Sequence, residues 1–96
     1  MNPMRIIAFC LVLLLAHGML DAQVLHCYQS ERFGTRLINV GDAERSVIEQ
    51  EPDRTVRLET RYGGTAGYRY DFYKSRRTIQ IYVRAGVVVR ICRIPE

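Results

Sequence analysis

Histidine, lysine and cysteine are scarce in this chain, and each scarcity removes a class of chemistry. The two histidines are His17 and His26, and the only lysine is Lys74. Acid–base or nucleophilic catalysis needs a nucleophile, a base or two close carboxylates. His26 stands beside Cys27, where a surface position is expected rather than a general base. Glu59 and Asp71 come nearest to a carboxylate pair, but their expected role is to pair with Arg57, Arg61 or Arg69 across strands. The run Gly63-Gly64-Thr65-Ala66-Gly67 lacks the lysine and the following helix of a phosphate loop. No catalysis and no cofactor are therefore expected. Cys27 and Cys92 with His26 do not make a standard zinc set, so no metal site is expected either. Asn39 is followed by Val40-Gly41, so N-glycosylation is not expected. Internal repeats, low-complexity tracts and linkers are also missing.

The chain opens with one charge, Arg5, then an apolar run from Ile6 to Ala16, then small residues at Gly18 and Ala22. That order describes a secretory signal peptide over residues 1–22. The run is short for a membrane-spanning helix. Cleavage is expected after Ala22, with Gly18 as the alternative. Residues 23–96 then form one secreted domain of about 74 residues, a size at which a hydrophobic core is marginal without a staple. Cys10 leaves with the signal peptide. Cys27 and Cys92 remain, one near each end, in an oxidising compartment, and a Cys27–Cys92 disulfide is expected. The competing readings of these cysteines are intermolecular pairing and metal ligation.

Four runs between Arg54 and Ile94 carry strand signals, separated by short turns. Val56, Leu58, Thr60 and Tyr62 alternate with Arg57, Glu59 and Arg61. Tyr68, Tyr70 and Phe72 alternate with Arg69 and Asp71, and Ile79, Ile81 and Val83 with Gln80, Tyr82 and Arg84. Period-two alternation with one wet face is the habit of antiparallel sheets. Gly63–Gly67, Ser75-Arg76-Arg77 and Ala85-Gly86 are the turns. In the last run Val87, Val89 and Ile91 share the expected apolar face, which leaves Val88, Cys92 and Ile94 on the wet side. An N-terminal segment crossing that side is the simplest account; a β-bulge that resets the face is the other.

Before the ladder, Val24–Tyr28 suits an edge strand, Gln29–Gly34 a loop and Thr35–Val40 a strand. Residues 41–50 fit two readings. One is a two-turn helix with Asp42 as N-cap and Glu44 in its first turn. The other is a hairpin around Gly41-Asp42, favoured narrowly by the strand-like surroundings. The fold class expected is mainly β: a small antiparallel meander closing toward a barrel or sandwich, with at most one short helix near residues 42–50 and one disulfide.

The formal net charge of +4 is unevenly spread. Residues 23–53 carry Arg32, Arg36 and Arg45 against Glu31, Asp42, Glu44, Glu49, Glu51 and Asp53, a net of −3. Residues 54–96 carry ten basic side chains against Glu59, Asp71 and Glu96, a net of +7. Arginine and tyrosine are the residue types that dominate interface hot spots. The wet face of the ladder, with Arg57, Arg61, Arg69, Tyr73, Tyr82 and Arg84, is accordingly the candidate binding surface for an extracellular protein target. The expected function is a small secreted non-enzymatic interaction protein: an effector, inhibitor or extracellular ligand. Acidic glycans or an anionic membrane surface are the alternative partners, which would imply a defence role. Nucleic acid is not expected as the ligand of a secreted chain. A third reading is a peptide precursor cut at Arg76-Arg77, against which stands the position of that pair between two strands of a stapled domain.

Overall fold

The computed structural model describes residues 25–95. The expected signal peptide lies outside them. In chain order the elements are β1 (His26–Tyr28), β2 (Ser30–Phe33), β3 (Arg36–Asn39), α1 (Glu44–Ile48), β4 (Arg54–Glu59), β5 (Thr65–Lys74), β6 (Arg77–Arg84) and β7 (Val87–Pro95). The chain is mainly β, as its alternation predicts. Strands β4 to β7 form an antiparallel meander, and β1 joins the free edge of β7, giving the order β1-β7-β6-β5-β4. The sheet stays open and does not close as a barrel; β1 and β4 are its two edges. The β2–β3 hairpin is a separate two-stranded sheet.

The core lies between one face of the large sheet and a layer made of this hairpin and α1. Phe33, Ile38 and Val47 come from the layer; Tyr70, Phe72, Ile79, Ile81, Val83, Val88 and Ile91 come from the sheet. The Phe33 and Phe72 rings meet at 4.7 Å between centroids. β6 carries the cleanest period-two signal, and its Ile79, Ile81 and Val83 are all buried. Ala85 and Gly86 both have positive φ, 52° and 78°, as a type I′ turn requires, and this turn returns β6 into β7.

Four expectations need correction. Gln29–Gly34 is not simply a loop: Ser30–Phe33 is β2, whose inward positions are Glu31 and Phe33, and a buried acid hid the pattern. Residues 41–50 hold the short helix α1, Glu44–Ile48, rather than a hairpin. No neighbouring strand takes up Val47 and Ile48. Instead, Gly41–Glu44 docks on the start of β7, with Gly41 N donating to Val88 O (2.8 Å), Val88 N to Asp42 O (2.8 Å) and Glu44 N to Gly86 O (2.9 Å). The chain then turns once into a helix and buries Val47. Ala43, not Asp42, is the N-cap residue; the Asp42 carboxylate accepts from Asn39 N at 2.8 Å.

The third correction concerns β7. Its register shifts between Tyr82 and Val83: Arg90 faces Tyr82, Val88 faces Val83, and Val89 is the extra residue of a β-bulge. The bulge sends Val88 and Ile91 both to the core, while Val87 and Val89 are exposed. Among the described residues the N-terminal segment does not cross the sheet; β1 lies beside β7 in its plane. The fourth concerns β4. It ends at Glu59, Tyr62 is 92% exposed, and the register sets Val56 opposite Arg69 and Leu58 opposite Gly67. Its apolar residues therefore lie on the face away from the core.

Candidate functional site

The sheet face away from the core has no covering layer among the described residues. Cross-strand register builds a row across it: Val56 on β4, Arg69 on β5, Tyr82 on β6 and Arg90 on β7. Directly opposed side chains in an antiparallel pair lie close enough to interact. The Arg90 guanidinium sits 5.5 Å from the Tyr82 ring centroid. Its Nε also donates to Cys27 Sγ at 3.3 Å. Tyr82 is thus flanked by one guanidinium on either side.

Arg69 is fixed by Asp71, two residues along the same strand. Its Nε donates to Oδ1 at 2.8 Å and its Nη2 to Oδ2 at 3.0 Å, a fork matched to both carboxylate oxygens. Hydrogen bonding to Asp71, outweighing burial, raises the Arg69 pKa above the ordinary arginine value. Asp71 is buried, so its charge is neutralised by Arg69 and unavailable to an incoming cation. Register places Arg54 and Gln80 beside Asp71, and Tyr73 beside Thr78. Alternation along β6 puts Arg84 on the same face as Tyr82. The surface groups left here are Arg54, Tyr73, Arg84 and Arg90, all exposed, with Val56, Leu58 and Ile94 half-buried between and beside them.

Of the six residues expected to bind a partner, Arg69, Tyr73, Tyr82 and Arg84 share this face. Arg57 does not: it stands opposite Tyr68 on the other face and donates to Thr65 Oγ1 at 3.0 and 2.7 Å. Arg61 belongs to the loop that joins β4 to β5. Glu59 faces Thr65 and Asp71 faces Arg54, at opposite ends of β4, so these two acids are not neighbours. Arg90 on β7 is exposed and joins this face, beside the stretch around Val88, Cys92 and Ile94 where an N-terminal cover is expected from the sequence. The alternation alone puts Val56 and Leu58 on an apolar face that is expected to be the core. Only the hairpin register, which depends on a bulge at Leu58/Glu59, reveals them here.

Cys27 and Cys92 are direct register partners and form the disulfide. Cys92 is buried and Cys27 exposed. Arg76 and Arg77 bracket the end of the β5–β6 turn, both exposed; Arg76 has φ 68°, and Arg77 lies on β6 opposite Pro95. His26 is exposed, opposite Arg93. Among the described residues no three of His, Cys, Asp and Glu are grouped to hold a metal. Compared with family models, curated proteins and solved structures, the chain matches none.

Proposed function

We propose that this protein is a small secreted interaction protein, without catalysis, that binds an acidic surface on an extracellular protein partner through its open sheet face. The observation that supports this most is the placement of β4. An edge strand beyond the reach of the covering layer gains nothing by turning Val56 and Leu58 away from the core, unless another surface covers them. Beside them stands a row of arginine and tyrosine whose one acid is already neutralised. Apolar strips rimmed by such residues mark interaction sites, and the excess positive charge selects an acidic partner.

The test is capture from the extracellular fluid of the source, comparing the natural sequence with Tyr73→Ala/Arg84→Glu/Arg90→Glu. Arg69 is left in place, because its removal would strand the buried Asp71. A partner retained by the natural sequence and lost by the variant, with unchanged thermal unfolding, is expected. Equal retention would overturn the reading. Elution from heparin only at high salt, with no protein partner captured, would point instead to a polyanion ligand.

A further inference from the structure

On the opposite side from this row, at the β4–β5 loop end of the sheet, is a cleft of about 480 Å³, within the size range of small-ligand sites. Its walls include Glu44, Thr65, Ala66, Gly67, Tyr68 and Val83. Among the described residues Glu44 is the only acidic side chain there. Its Oε2 accepts a hydrogen bond from Tyr70 Oη at 2.6 Å, which fixes the carboxylate from beneath. Arg84 also borders the cleft, but strand alternation sends its side chain to the open face. No ion pair forms with Glu44 among the described residues, in a chain with 14 basic side chains. Tyr68 supplies an exposed aromatic wall whose ring centroid lies 6.3 Å from that of Tyr70. Gly67 brings its backbone close against β6 at this end: a Cβ there would come within 2.1 Å of the Val83 carbonyl oxygen.

A fixed carboxylate beside an aromatic face in a mostly apolar cleft is the pattern that recognises an organic ammonium group. We infer that this cleft binds a small primary ammonium ion carrying an aryl or alkyl tail, with the ammonium on Glu44 and the tail along Tyr68, Ala66 and Val83. Size and charge select together: the tail fills the apolar walls, and the single negative charge rejects an anion.

The test is a two-dimensional amide NMR titration with 2-phenylethylamine. Shifts at Thr65, Gly67 and Gly86, saturating with a Kd of about 1 mM or tighter, are expected. The anion 3-phenylpropionate and the neutral 2-phenylethanol have the same ring and chain length and should bind at least about tenfold more weakly, the size of a lost charged hydrogen bond. Glu44→Gln keeps an acceptor for Tyr70 and should lose the amine to the same degree. Tyr68→Leu, a change at the surface, should weaken it while leaving the fold intact. No saturable shift with the amine, or equal binding of the neutral alcohol, would overturn the inference.

Discussion

Glu31 joins the two layers as a charge. Its side chain is 2% exposed, and Oε2 accepts from Arg93 Nε at 2.8 Å and Nη2 at 2.6 Å, while Arg77 Nη2 lies 3.8 Å from Oε1. Removing one partner of a buried pair leaves an uncompensated charge, which costs more than the pair contributes. Arg93→Ala should therefore destabilise by about 2 to 4 kcal/mol, somewhat less than for a fully enclosed pair because Arg93 is partly exposed. Glu31→Leu/Arg93→Met should recover most of that loss in urea unfolding; a double variant no better than the single would show that the charge is not what matters. Tyr70 makes a second contact between layers. Burial, then the hydrogen bond to Glu44, raises its pKa above the ordinary tyrosine range. A raised folded pKa contributes stability that is complete below the unfolded value, about 10, and fades as pH rises beyond it. The natural sequence should lose stability above about pH 10 more steeply than Tyr70→Phe, which should itself cost about 1 kcal/mol at neutral pH. Parallel pH–stability curves would remove this account.

Among the elements, β5 is positioned by a single residue. Gly67 has φ 108°, and a Cβ there would meet the Val83 carbonyl at 2.1 Å, so both conformation and space require glycine. Gly67→Ala should cost about 3 kcal/mol or prevent folding, while Gly34→Ala, at φ 61° with open space around it, should cost about 1 kcal/mol. Thermal unfolding of the two variants separates crowding from backbone strain, and equal losses would remove the crowding. The elements differ in how far their alternation could be read. In β6 the alternation of isoleucine and valine with polar residues defined both strand and core face. In β4 the same alternation showed which residues share a face but not which face they share. Period two leaves that choice to register, and register here depends on a bulge after Leu58. The bulge at Val89 had the same effect on β7. Both bulges bear on the candidate site: one sets Val56 and Leu58 on the open face, and the other sends Val88 to the core while Arg90 stays opposite Tyr82. β2 was obscured for another reason, since its inward residue Glu31 is charged and its partner Arg93 is 62 positions away.

Across the whole molecule, charge is sorted by layer. The acid-rich residues 30–53 carry the covering hairpin and helix, and the arginine-rich residues 54–95 form strands β4 to β7 of the sheet. Acids from the layer therefore meet the sheet's core side at Glu31 and Glu44, and the positive excess remains on the far side. The join that holds this arrangement is β1, three residues on the edge of β7 with Cys27 directly opposite Cys92. Such a short edge strand has few contacts of its own, and its stability comes from the bond that ties it down. The cross-link spans 65 positions, and the chain-entropy account puts a closed loop of that length at roughly 4 kcal/mol. Cys27→Ser/Cys92→Ser should lose about that much in urea unfolding. The loss should be uneven in hydrogen exchange. Amides of β1 and of the facing edge of β7 should open first, while those of β5 and β6 keep protection until global unfolding. Release of β1 also frees Arg90 from Cys27, so partner capture through the Arg69–Tyr82–Arg90 row should weaken before the core melts. If protection falls equally in every strand, the disulfide acts only on the unfolded chain, and the row does not depend on it.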